Sequence, residues 1–60
     1  METYNLNDKV KVSFTGQVGF VSSVRVESEF SACYELRDQD GKTIWNHDVK
    51  MWDHSTLIKL

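Results

Sequence analysis

The sequence predicts an all-β domain, and three stretches carry that prediction. In the first, Val10, Val12 and Phe14 alternate with Lys9, Lys11 and Ser13, the two-residue period of a strand with one buried face. In the second, the alternation breaks at Thr15-Gly16 and apolar residues resume at Val18, as in a tight turn followed by a returning antiparallel strand. In the third, Asp38-Gln39-Asp40-Gly41 separates two short strand-like runs and supplies the turn-competent backbone of a hairpin.

Residues 1–6 form a short lead-in, with Tyr4 and Leu6 placed to cover one end of the core. The first strand runs from Lys9 to Phe14, and Gly16 and Gly19 bracket the return. The second strand, Val18 to Val26, is rich in β-branched and aromatic residues. Val18, Phe20, Val24 and Val26 are expected on one face and Val21 on the other. A strand that is apolar on both faces bends to serve two sheets in turn, and Ser22-Ser23 is the expected bend. Glu27 to Ala32 reads as a polar loop that carries Phe30.

The third strand covers Cys33 to Arg37, with Tyr34 and Leu36 in phase. The fourth follows the Asp-Gly turn, from Lys42 to Asn46, with Ile44 as its core residue. His47 to Trp52 is too short for a stable α-helix and reads as one helical turn, from which Val49 and Trp52 reach the core. The last strand is Leu57 to Leu60. Five short strands linked mostly by tight turns describe a small barrel or a pair of orthogonally packed sheets.

Asn7-Asp8-Lys9-Val10-Lys11-Val12 resembles the Gly-Asp-x-Val-x-Val opening of SH3-like small barrels of the KOW and Tudor type. Gly16-Gln17-Val18-Gly19-Phe20-Val21 resembles the Gly-x-x-Gly-x-Val return of the same family, and the Asp40-Gly41 hairpin and a terminal apolar strand after a helical turn fit it too. The resemblance covers Leu6 to Leu60, with Asn7 where the family has a glycine. It implies a five-stranded SH3-like barrel with one short helical turn before the last strand. In size and layout the chain is similar to the short barrel proteins encoded by bacteriophages. Such barrels bind RNA, peptides or methylated side chains, or oligomerise, so the resemblance fixes no function. Plasmid-type trimethoprim-resistant dihydrofolate reductases are small barrels as well. Their Val-Gln-Ile-Tyr strand would fall near Thr43-Ile44-Trp45-Asn46, where the ligand-facing glutamine and tyrosine are absent.

Sixty residues make a single domain, 1–60, with a thin stability margin, because a chain this short buries only about 60% of the surface its unfolded form exposes. The lone Cys33 rules out an internal disulfide, which leaves self-association as the open route to extra stability. No apolar run approaches the roughly 18 residues of a membrane span. The start lacks the basic and apolar regions of a signal peptide, and one unpaired cysteine suits a reducing compartment, so the cytoplasm is the expected location. The net charge of −2 and the scattered placement of Lys9, Lys11, Arg25, Arg37, Lys42, Lys50 and Lys59 disfavour nucleic acid as a partner.

The first candidate site is an aromatic set, Phe30, Tyr34, Trp45 and Trp52, able to grip a peptide, stack on a base or cage a cation. With Ile44 pointing inward, Trp45 points outward. The alternative for Tyr34 and Trp52 is that they complete the small core. His47-Asp48 and Asp53-His54 form a near-mirror of two pairs, yet a metal needs three or four convergent ligands, and exposed solvated side chains are the expected reading. Cys33 has no nucleophile-elbow motif or oxyanion glycines beside it and reads as a small hydrophobe. Glu27, Glu29, Asp38 and Asp40 are loop-tip charges that can also face a basic partner. No catalytic residue, metal or cofactor is expected. The expected function is protein–protein interaction by a small phage-encoded accessory or host-interaction factor, with homo-oligomers allowed. A KOW-like RNA- or DNA-binding module comes second, and an oligomeric small-barrel enzyme third. A basic stripe beside Trp45 favours nucleic acid, whereas mixed charge around an apolar patch favours protein.

Overall fold

Five antiparallel strands form one sheet in the computed structural model, which describes residues 2–60. They are β1 (Lys9–Val12), β2 (Val18–Ser28), β3 (Ser31–Arg37), β4 (Met51–Asp53) and β5 (Leu57–Lys59), in the spatial order β4-β3-β2-β1-β5. A 3-10 turn, His54–Thr56, joins β4 to β5. Among the described residues no helix is long and apolar enough to cross a membrane.

β2 holds the sheet together because its two halves pair with different neighbours. Its first residues lie against β1, with Lys9 opposite Phe20 and Lys11 opposite Val18, while the stretch from Phe20 onward lies against β3. The register shifts between Val21 and Ser23, which is a β-bulge at the expected Ser22-Ser23 bend. The bulge also explains the apolar residues on both faces. Val21, opposite Leu36, and Val24, opposite Tyr34, are three apart in sequence, yet both point inward because one extra residue separates them.

The core comprises Val10, Val12, Val21, Ala32, Tyr34, Leu36, Ile44, Trp52 and Leu57, with Tyr4 and Val24 packed against it. Gly19 shares the inner face of β2, and a Cβ there would stand 2.6 Å from Ile44 Cδ1 and 3.1 Å from the Arg37 carbonyl. The inward phase at the start of β2 is therefore Gly19 and Val21, so Val18 and Phe20 do not share a face with Val24 and Val26, as the sequence predicts that they should. Val18 and Phe20 face outward, and Val26, although opposite the core residue Ala32, is exposed as well.

The first strand ends at Val12, two residues earlier than expected. The Gly16 N–H bonds the Val12 carbonyl, and Ser13 N–H bonds Thr56 O, so the chain turns before Phe14 can enter the core. Phe14 is exposed, its ring centroid 6.2 Å from that of Trp52. Gly16, at φ 77°, supplies the left-handed residue of this turn. Asn7 has φ 72°, a conformation that asparagine tolerates better than most residues.

Glu27 to Ala32 is a tight hairpin and not a loop: Ser28 pairs with Ser31 across Glu29-Phe30. Neither turn residue has a positive φ, so the primed turns that match strand twist are absent, and a second register shift between Val26 and Ser28 takes up the mismatch. The expected fourth strand, Lys42 to Asn46, meets β3 at a single bridge, Arg37–Thr43, flanked by the Ile44 N–H bond to Leu36 O and the Asp38 N–H bond to Lys42 O. Beyond that point the edge of β3 is occupied by Met51–Asp53, and the Ile44 carbonyl accepts from the Trp52 indole at 2.9 Å.

The expected helical turn at His47–Trp52 is also displaced. Asn46 and Val49 exchange backbone hydrogen bonds across a tight turn in which His47 takes a left-handed φ of 58°, and Val49 is left exposed. The helical turn lies at His54–Thr56 instead, started by the Asp53 carboxylate, which accepts from Ser55 N–H and Ser55 Oγ. These bonds hold the Asp53 carboxyl below its ordinary range.

Tyr4 ties the lead-in down. Its N–H donates to Tyr34 Oη at 3.0 Å, its own hydroxyl donates to Leu57 O at 3.1 Å, and its ring stacks on His54 with centroids 4.5 Å apart. Leu6, the other expected cover, is exposed.

Candidate functional site

The structure splits the aromatic set of four. Tyr34 and Trp52 belong to the core and offer no surface to a ligand, which corrects their place in the candidate site. Trp45 is 52% exposed with the Lys50 ammonium 5.3 Å from its ring centroid, and Phe30 is 86% exposed at the β2–β3 tip. These two lie at opposite ends of β3: Phe30 just precedes Ser31, whereas Trp45 follows Ile44, which is bonded to Leu36. The four aromatics do not converge.

Side chains from four strands converge on the outer face of the β5-β1-β2 half and the adjoining end of β3. Residues paired across antiparallel strands share a face, so the register itself writes the surface. One transverse row reads Ile58, Lys11, Val18. The next reads Leu60, Lys9, Phe20, Arg37: Leu60 continues β5 with its N–H on Lys9 O, and Phe20 pairs with both Lys9 and Arg37. Thr43 extends this second row past Arg37, and Trp45 follows two residues later. The Arg37 guanidinium lies 5.1 Å from the Phe20 ring centroid and donates to Asn7 Oδ1 at 3.0 Å, so it is held in place over the sheet.

Three cations thus sit among four apolar side chains, and neither row contains an acid. Ile58 is 46% exposed and Leu60 54%. The outer face of the other half differs. There Ser23, Glu35 and Met51 form one row and Arg25, Cys33 and Asp53 the next, with Glu27 beside Cys33.

Cys33 Sγ donates to Glu27 Oε1 at 2.6 Å, and this bond, with partial burial and the neighbouring carboxylates, pushes the thiol above its ordinary range. A nucleophilic cysteine needs the opposite shift. Alkylation of Cys33 by iodoacetamide at pH 8 is expected to run slower than alkylation of a free cysteine, and Glu27→Ala is expected to accelerate it. Equal rates in both chains would show that the hydrogen bond has no hold on the thiol.

Among the described residues no three His, Cys, Asp or Glu side chains converge as metal ligands. His47 is exposed on its turn, while His54 is occupied by Tyr4 and by the Tyr34 hydroxyl at 2.8 Å. An open groove of about 660 Å³ beside the lead-in is lined by Tyr4, Asn5, Asp8, His54 and Lys59, and Lys59 pairs there with Asp8 at 3.7 Å. Glu2 and Thr3 complete the lining, and the Tyr4 hydroxyl, Asp8, His54 and Lys59 already have partners in the chain.

Apolar periodicity groups Val18 and Phe20 with Val24 and Val26 on one face, which conceals the rows in the sequence. The available signal was Gly19: a residue without a side chain between two large ones marks a close inward approach as readily as a turn. No protein-family model, curated protein or solved structure matches the chain.

Proposed function

We propose that this chain is a non-catalytic cytoplasmic binding module that works by protein–protein contact, and that the two rows are its contact face. One observation carries the reading: Lys9, Lys11 and Arg37 stand among Val18, Phe20, Ile58 and Leu60 with no acid in either row. Such a face suits a partner segment that alternates acidic and apolar residues. A segment lying along the second row reaches Trp45 at its far end, which gives the exposed indole a role as an anchor. The antiparallel sheet and the turn before β5 support the resemblance to SH3-like small barrels, including the short phage-encoded ones, and with it a small accessory role.

Cations without an acid on a path to Trp45 are the pattern expected of a nucleic-acid face, but their small number and the apolar side chains between them make nucleic acid the weaker reading. Three cations neutralise at most about three phosphates, which limits the salt slope to about −3. Val18, Ile58 and Leu60 offer no flat face on which a base can stack, Arg37 already sits by the ring of Phe20, and Lys50 lies over that of Trp45.

The test uses three probes followed by amide chemical shifts: a ten-residue peptide alternating Glu and Phe, its Lys-Phe counterpart, and a single-stranded RNA. The Glu-Phe peptide is expected to move the amides of Lys9, Lys11, Val18 and Ile58, and the Lys-Phe peptide to leave them in place. RNA is expected to bind no tighter than tens of micromolar, weak on the scale of specific nucleic-acid complexes. Submicromolar RNA affinity with a steep salt slope would replace this reading with the KOW-like one.

A further inference from the structure

We infer that the chain carries its own ligand for this face, and that copies join head to tail by seating the Glu29-Phe30 hairpin tip of one on the rows of the next. The inference rests on the proposed preference of the rows for acidic, apolar segments. The hairpin tip has that chemistry. Every residue from Arg25 to Phe30 is exposed, so the end of β2 projects past the core. Val26 and Phe30 are the apolar residues of the projection, Glu27 and Glu29 are its acids, and no cation follows Arg25 before the tip. A phenylalanine left almost bare at a two-residue turn contributes nothing to its own fold.

The two surfaces match in charge and lie too far apart to meet within one molecule. The rows use Val18 and Phe20 at the start of β2, and the tip follows its last residue, Ser28. At about 3.3 Å per residue the strand separates them by roughly 30 Å, close to the 31 Å length of the whole molecule. Only a second copy can bring tip to rows. The contact joins two different patches, so it is heterologous, and each addition leaves one tip and one face free for another chain.

The test measures average mass by sedimentation equilibrium from 10 µM to 1 mM at low and high salt. Its variants are Phe30→Ser, which disables the tip, and Lys9→Glu with Lys11→Glu, which disables the face. The wild type is expected to grow past the dimer with concentration and to shrink at high salt. Each variant alone is expected to associate at least tenfold more weakly. A one-to-one mixture is expected to form a heterodimer that stops at two chains, because the surviving tip meets the surviving face and nothing is left to extend it. That complementation also shows that both variants are folded. A wild type that stays monomeric to 1 mM overturns the inference, as does a dimer indifferent to both variants. If such a monomer still binds the Glu-Phe peptide, the head-to-tail contact alone is wrong; if it does not, the proposed binding face falls as well.

Discussion

Trp52→Ala is expected to unfold the domain or nearly so, while Trp45→Ala leaves it folded. Trp52 is 3% exposed, packs in the single core, and donates from its indole Nε1 to the Ile44 carbonyl. Removing a buried tryptophan costs about 3–5 kcal/mol, and here a buried carbonyl loses its partner as well. A domain of this length has roughly 3–9 kcal/mol in total. Trp45 is half exposed, and its truncation should cost under about 1 kcal/mol. Urea unfolding of the two variants, followed by circular dichroism, measures the difference. Comparable losses would mean that Trp45 contributes to the core and that the outward phase assigned to it is wrong.

Tyr34→Phe is expected to lower stability by about 1–2 kcal/mol and to loosen the lead-in more than the sheet. The ring stays in the core, but Tyr4 N–H and His54 Nδ1 lose a shared partner. Amide exchange at Tyr4 should therefore accelerate more than exchange at Leu36. The pH dependence has a definite sign. Burial holds the Tyr34 phenol above its ordinary range, so the folded chain retains this proton more tightly than the unfolded chain does. That contribution is complete below the unfolded value of about 10 and is lost as pH rises through the folded one. The wild type should lose stability between pH 9 and pH 11 more steeply than Tyr34→Phe, as two-state urea titrations will show. Parallel losses would show that Tyr34 does not ionise in the transition.

The strand content was legible because Val10 and Val12, and Tyr34 and Leu36, alternate cleanly with polar neighbours. The Ser22-Ser23 bend was legible because apolar residues change face there. Three features were hidden for physical reasons. The true β4 is three residues long, too short to show a period, and its edge position on β3 had a rival in Lys42–Asn46. The Glu29-Phe30 turn has none of the Asn, Asp or Gly residues that announce a hairpin, because a register shift replaces the special backbone. The helical turn announced itself through Asp53 and Ser55, a capping pair two residues apart, which a search for apolar spacing passes over. The candidate face was half visible in Lys9 and Lys11. Its other half waited on the inward placement of Gly19.

The bulge in β2 makes this chain tolerant to a change of length at one place. Deleting Ser22 would leave Val21, Val24 and Val26 at alternate positions of an unbroken strand, all still on the side they occupy now. Deleting a residue of β2 away from its two register shifts would turn every following side chain to the opposite face. Descendants and ancestors of this chain are thus free to differ by one residue at Ser22, and a comparison that forbids a gap there would set their inner and outer faces one step out of phase.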